Sequence, residues 1–302
     1  MNTTQKSNLI AGAGYMVAAG IAFALINAIS YKVTSPADYG GLGFKSQSDL
    51  FWQYGIALLF ALPFLFKQGI ASLRTTHPVL HVVRVILSVI GLQAFNLAFS
   101  YGEPTWKVVA LVMTSPFFVM LGAKFLLGET VGPNRWLASI VAFIGGMIVL
   151  QPWSTVFHIY SLLPVVAALF WGAVSLMTKY FTAEESPVSL TVWLLLLLTP
   201  INAVFSGVAG FEMPTMQIFE LLVVGGALVL FAQWCLTKSY TAADAAFVQP
   251  FDDLKLISNV LVFGLGFLYW PEGQIWIGLG LILAASSFLL WSERAKGKLA
   301  AA

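Results

Sequence analysis

The sequence predicts an all-α polytopic membrane protein with ten transmembrane helices. Its composition is 59% hydrophobic and only 9% charged over 302 residues, with a mean hydropathy of +0.87. Soluble domains carry about 25% charged residues. Ten apolar stretches follow one another, and about 20 such residues span a bilayer core. The two halves of the chain also resemble each other, which predicts a repeat of five helices.

The first apolar stretch, 10–31, is predicted to be a retained helix. It exceeds the 7 to 15 residues of a typical signal-peptide core and lacks an obvious small-residue cleavage site. The remaining predicted spans are 50–67, 79–99, 104–124, 133–151, 159–180, 188–206, 217–237, 242–265 and 274–292. The longest connection, from Lys32 to Asp49, leaves no room for a soluble domain.

Positive charge predicts the orientation of the helices in a bacterial-type inner membrane. With a cytoplasmic N terminus, eleven Lys and Arg residues fall on the inner side and three on the outer side. The tails 1–9 and 293–302 are therefore expected in the cytoplasm. A monomer is the expected state.

Several function classes are disfavoured. A net charge of +2 with dispersed basic residues argues against nucleic-acid binding. Cys235 is the single cysteine, so no internal disulfide forms, and no cofactor is expected. His77 and His81 have helical spacing but no nearby third ligand, so a solvated face is predicted there instead of a metal site.

An internal repeat relates 10–151 to 159–292. The segment "RWLASIVAFIGGMIVL" (135–150) aligns with "IWIGLGLILAASSFLL" (275–290) at an offset of 140 residues. Because each half holds five helices, an odd number, the second half must be inverted relative to the first. Inverted repeats are typical of secondary transporters that bind substrate near the membrane midplane.

The ninth predicted helix carries charges at the depth of the membrane centre, in "FVQPFDDLKLISN". Such charges are costly and mark either a pathway or an internal ion pair. Asp252 and Lys255 are three residues apart on a helix and are the expected pair, whereas Asp253 points elsewhere along the polar face. For an amino-acid substrate, Lys255 would bind the carboxylate, and Asp252 or Asp253 the ammonium. Gln249 and Asn259 share their polar face. The pair is interpreted either as structural or as a contact for substrate, and no acid is expected mid-membrane in the first half.

Other candidate side chains lie on neighbouring helices. Trp171 lies in the middle of the sixth span and is either a packing residue or a platform for substrate. Amide and hydroxyl groups that would face substrate, or link helices, are Asn27, Gln93, Asn96 and Ser115. Pro116 and Pro250 interrupt helical hydrogen bonding at related positions and are predicted hinges or fixed kinks.

A family resemblance follows from two segments. "FLLGETVGPNRWLASIVAFIGGMIVL" (125–150) and "YTAADAAFVQPFDDLKLISNVLVFGLGFLYWPEG" (240–273) resemble the ends of the two EamA repeats of the drug/metabolite transporter superfamily. The overall character is similar to YddG-type amino-acid exporters. The resemblance implies ten helices around a central cavity and no enzymatic activity. Relatives that carry S-adenosylmethionine or riboflavin have a similar ninth helix.

The expected function is therefore secondary transport of amino acids, by export with alternating access. The alternative is a carrier of S-adenosylmethionine, riboflavin or a nucleoside. A membrane aspartic protease needs two carboxylates converging from different helices, and adjacent Asp252 and Asp253 diverge by about 100°. A channel fits the repeat and the kinked helices less well than a carrier does.

Overall fold

The computed structural model describes residues 3–37, 40–100, 105–112, 114–128, 132–150, 157–252, 254–268, 270 and 273–299. Within them the secondary structure is helical, with no strand. The α-helices are α1 (Thr3–Thr34), α2 (Ser46–Gln68), α3 (Pro78–Ser100), α4 (Thr105–Val112), α5 (Ser115–Leu126), α6 (Pro133–Leu150), α7 (Leu163–Phe181), α8 (Pro187–Val208), α9 (Met216–Ala242), α10 (Ala245–Asp252), α11 (Lys255–Phe267) and α12 (Ile275–Leu299). Seven helical stretches in this part of the chain are long and apolar enough to cross a membrane.

Two predicted spans, the fourth and the ninth, are each broken into two helices. The sequence predicts a hinge or fixed kink in each of these spans, at Pro116 and Pro250, and the turns lie nearby at Thr114 and Leu254. The first break follows Val112 and the second follows Asp252, again at an offset of 140 residues. The turn at Thr114 is fixed by its hydroxyl, which donates to the carbonyl of Leu111 over 2.8 Å. Pro116 then lies in the first turn of α5, where its missing N–H is not needed.

Helix packing joins the two halves in matched pairs. α1 packs on α9 and α11, and α7 packs correspondingly on α3 and α5. The pairs α2 with α8 and α6 with α12 each join a helix to its counterpart. The core is therefore shared between the halves, and the broken helices lie against α1 and α7.

Glycines allow the broken helices to approach closely. A Cβ at Gly20 of α1 would lie 2.9 Å from the Cβ of Lys255. In the other half, a Cβ at Gly172 of α7 would lie 3.2 Å from the Cβ of Phe118 and 3.5 Å from the carbonyl oxygen of Ser115. Each break is thus packed against a glycine of the long helix beside it.

We expect Gly20→Ala to destabilise the protein by about 1 to 3 kcal/mol, because the new methyl group overlaps Lys255. Gly14→Ala is the matched control on the same helix, since a Cβ there meets nothing within 4 Å. Relief of glycine's backbone entropy makes that change neutral or stabilising by about 0.5 to 1 kcal/mol. Thermal unfolding of both variants in detergent measures the difference, and equal melting temperatures would contradict the packing argument.

Candidate substrate site

A cavity of about 880 Å³ lies inside the bundle, between the two halves. At one end it is lined by the connection between α1 and α2, including Pro36 and Lys45. It extends to Tyr240, which is fully buried near the end of α9. The cavity is therefore deep enough to reach past both helix breaks.

One wall of the cavity is polar and is formed by α1, α2 and the break between α10 and α11. Its polar side chains include Asn27, Ser30, Asp49, Gln53, Asp252, Lys255 and Asn259. Asn27 donates to the side-chain oxygen of Asn259 over 3.0 Å, and Asn259 donates to the backbone carbonyl of Lys255 over 2.8 Å. This chain of hydrogen bonds fixes α1 to the start of α11.

The predicted pairing of Asp252 with Lys255 is confirmed. The ammonium of Lys255 donates to Oδ2 of Asp252 over 2.5 Å, and the side chains are 15% and 9% exposed. The two residues are the last of α10 and the first of α11, so the ion pair bridges the helix break. Coulomb attraction at low dielectric offsets the cost of placing both charges in the bundle.

Asp49 also lines the cavity, and the sequence analysis missed it. The segment 32–49 was predicted to be a connection, but α2 begins at Ser46 and places Asp49 inside the bundle with 2% exposure. The carboxylate accepts hydrogen bonds from Ser30 over 2.8 Å and Gln53 over 2.6 Å. The pattern Ser46-x-x-Asp49 resembles a capping box and indicates a helix start in the sequence, although in the structure Lys45 precedes the helix and no side chain caps it.

The opposite wall is apolar. Trp171 of α7 and Phe95 of α3 have ring centroids 5.3 Å apart, and Leu92, Val109 and Val112 extend the surface. The indole N–H of Trp171 donates to the carbonyl of Ser88 over 3.4 Å. Gly91 leaves space for this ring, because a Cβ there would lie 2.6 Å from the indole nitrogen. The ring is therefore held by α3 while it faces the cavity.

The remaining predicted residues are placed as follows. Ser115 is buried at the start of α5 and lines the cavity. Gln93 does not line it, because Ser88, Leu92 and Phe95 form the cavity face of α3 and Gln93 lies on another side. Asp253 lies outside the described residues, as do the side chains of Gln249, Asn96, Pro116 and Pro250.

The end of the bundle opposite the α1–α2 connection is closed by a buried polar cluster. Nε2 of His81 lies 2.9 Å from Oε1 of Glu185, and the imidazole stacks between the rings of Phe181 and Trp193. The solvated face predicted for His81 was therefore wrong. The ring is fully buried because α3 packs directly on α7 and on the connection to α8.

Arg84 belongs to the same cluster. Its guanidinium is buried, donates to the carbonyl of Leu190 over 2.9 Å and lies 5.6 Å from the ring centroid of Phe181. Glu185 also accepts a hydrogen bond from Thr75 over 2.7 Å. The cluster ties α3 of the first half to α7 and α8 of the second.

The lining of the cavity is suited to binding a small molecule. Among the residues that the structure describes, no three His, Cys, Asp or Glu side chains come together as a metal would require. A polar wall faces an aromatic wall, which suits a molecule with a flat apolar part and a hydrogen-bonding part. Long apolar helices around such an internal cavity are typical of a multi-pass membrane transporter.

Comparison with known proteins identifies the family. Residues 12–151 match the EamA-like transporter family. A riboflavin transporter of Rhizobium johnstonii is 50% identical over 289 residues, which cover 96% of this chain and 94% of that protein. An S-adenosylmethionine uptake transporter of Rickettsia bellii is 25% identical, over a stretch that covers 91% of this chain and 94% of that protein. The chain belongs to the EamA-like transporter family and is a multi-pass protein of the bacterial inner membrane.

A solved crystal structure also has this fold. It is 17% identical to the chain, with a TM-score of 0.70 over 96% of this chain and 99% of that one. This likeness concerns the fold alone. The expected similarity to amino-acid exporters is not supported, because these relatives are named for riboflavin and S-adenosylmethionine.

Truncating Glu185 should destabilise the closed end. We expect Glu185→Ala to cost about 1 to 3 kcal/mol, because it leaves the buried His81 and the Thr75 hydroxyl without their acceptor. The neighbouring Glu184 is the matched control. Its carboxylate is 54% exposed and lies 3.4 Å from His77, so Glu184→Ala should cost about 0 to 1 kcal/mol. Thermal unfolding compares the two, and an equal loss would contradict the assigned burial.

Proposed function

We propose that the protein is a secondary transporter of riboflavin. The observation that carries the proposal is the 50% identity, along almost the whole chain, to a protein named riboflavin transporter. The proposed direction is uptake, because the more distant relatives that carry S-adenosylmethionine are named uptake transporters. This replaces the export that the resemblance to amino-acid exporters implied.

The size and the two walls of the cavity support this substrate. Small-molecule sites occupy about 300 to 1,000 Å³, and a cavity of about 880 Å³ has room for more than an amino acid. Riboflavin combines a flat tricyclic isoalloxazine with a chain of hydroxyl groups. In the proposed pose the ring packs on Trp171 and Phe95, and the hydroxyl groups face Asn27 and Ser30.

Charge also favours a neutral substrate. An amino acid would require Lys255 to release Asp252 and bind the substrate carboxylate instead. Riboflavin carries no net charge at neutral pH, so the ion pair keeps its partner throughout the cycle and stabilises the break between α10 and α11. In this proposal the ion pair between Asp252 and Lys255 is a structural element of the site. Asn259 continues the polar surface from this pair toward the substrate.

The proposed architecture is ten spans in two inverted repeats, 10–151 and 159–292, with both termini in the cytoplasm. The common offset of the two helix breaks and the matched helix pairs support it. Alternating access then opens the cavity first at the α1–α2 connection and afterwards at the His81 cluster. Pro116 and Pro250, which flank the two breaks, are the proposed hinges.

Purified protein is expected to bind riboflavin and to quench its fluorescence through stacking on Trp171. Trp171→Ala should lower the affinity about 5- to 150-fold, since removal of a stacking aromatic costs about 1 to 3 kcal/mol. Trp276→Ala is the control, because that ring is 48% exposed on the outside of α12.

Uptake of labelled riboflavin into proteoliposomes tests transport, with S-adenosylmethionine and amino acids as competitors. Competition by unlabelled riboflavin alone agrees with the proposal. Stronger competition by S-adenosylmethionine or by an amino acid would contradict it.

A double substitution tests the structural role of the ion pair. Lys255→Met should lower stability by about 3 to 5 kcal/mol, because it removes the ammonium that the buried carboxylate of Asp252 binds. Adding Asp252→Asn removes that charge and should recover most of the stability and the riboflavin binding. A double variant that is stable but no longer binds riboflavin would instead assign the charges to substrate recognition.

A further inference from the structure

Asp49 is the feature of the cavity that riboflavin recognition leaves unexplained. The residue is 2% exposed and lines the cavity, yet a neutral flavin needs no anion there. Within the described part of the chain, no Lys, Arg or His nitrogen comes within ion-pair distance of it. Asp252, the other described acid that lines the cavity, is compensated by Lys255.

We propose that Asp49 is the proton-binding site of the transporter and that riboflavin uptake is coupled to protons through it. The inference rests on the proposed function and adds the coupling ion. An uncompensated charge inside a membrane bundle is costly, and such carboxylates form proton pathways in transporters. With 2% exposure, Asp49 has little surface for a bulky substrate, whereas a proton needs none.

The other ionisable groups near Asp49 are less suited than Asp49 to bind the coupled proton. On α2 they are Tyr54 beside it and Lys45 before the helix, and Lys45 donates to the carbonyls of Ala209 and Gly210. On α1 they are Tyr31 and Lys32, the latter donating to the carbonyl of Gly40. α8 has no ionisable side chain, and Glu220 of α9 is exposed.

Hydrogen bonding around Asp49 provides a route for coupling. Ser30 donates to Oδ2 of Asp49 over 2.8 Å, and Gln53 donates to Oδ1 over 2.6 Å and to the Ser30 oxygen over 2.8 Å. A proton from the cavity that binds Oδ2 reverses the first bond: the carboxylic acid then donates to the Ser30 oxygen. The hydroxyl hydrogen of Ser30 becomes available to an oxygen of the substrate. Protonation and substrate binding thereby stabilise each other.

The same stretch of α1 connects the proton site to the broken helix. Asn27 lies three residues before Ser30 on the same face and bonds to Asn259. A movement of α1 that follows protonation of Asp49 therefore acts on α11 and on the ion pair beside it. The proton site at Asp49 is thus connected through α1 to α11, the element that must move.

The test measures riboflavin uptake into proteoliposomes with and without an inward proton gradient. For one coupled proton, each unit of pH gradient raises the steady-state accumulation of the wild type up to about tenfold. In Asp49→Asn the ratio of accumulation with and without the gradient should fall to about one, and Asp49→Glu should restore it. Taking the ratio within each variant removes any change in affinity. Asp244→Asn, at an exposed acid, should keep the wild-type ratio.

A wild-type ratio of about one, or an undiminished ratio in Asp49→Asn, would overturn the proton site. If Asp49→Asn fails to fold, carbodiimide labelling of the wild type decides instead, because this reagent modifies protonated carboxyl groups in apolar surroundings. Labelling of Asp49 that increases at acidic pH supports the site, and labelling to the same extent at acidic and neutral pH overturns it. This labelling needs no flavin, so failure of wild-type riboflavin binding would count against the proposed function separately.

Discussion

Most polar groups inside the bundle have a partner within the protein, with exceptions such as the buried amide of Asn202, and this constraint organises the structure. In hydrocarbon no water replaces a lost hydrogen bond or shields a charge. The ion pair between Asp252 and Lys255 meets the constraint at the break between α10 and α11. The bond from Asn27 to Asn259 meets it between α1 and α11. The break between α10 and α11 thus lies where α1 supplies hydrogen-bond partners and Gly20 leaves space.

The same constraint explains how much the sequence alone predicts. The length of the apolar stretches and the low share of charged residues predict the helical membrane fold. The spacing of Asp252 and Lys255 predicts their pairing. Pro116 and Pro250 predict a disruption in both spans, but the turns themselves, at Thr114 and Leu254, are not evident, because neither Thr nor Leu is a strong helix breaker. Polar residues of the cavity wall, such as Asn27 and Asn259, were predicted as candidates because each is a polar residue within an apolar stretch.

Tertiary packing accounts for the other differences. Asp49 looked like part of a polar connection, because its neighbours are polar and only the start of α2 places it in the bundle. His81 looked solvated for the same reason, and its burial comes from the rings of Phe181 and Trp193, which are distant in sequence. The charged and polar residues nearest to predicted helix ends were thus the hardest to assign.

The two ends of the cavity are built from different interactions, and this asymmetry has a functional consequence. Near the α1–α2 connection, Lys45 bonds to backbone carbonyls at the end of α8, and the cavity reaches this connection. At the other end, His81, Arg84 and Glu185 form a buried cluster that holds α3 against α7 and α8. Opening there requires these hydrogen bonds to be exchanged for others. The stability of that cluster therefore opposes release on its side and favours the conformation described here.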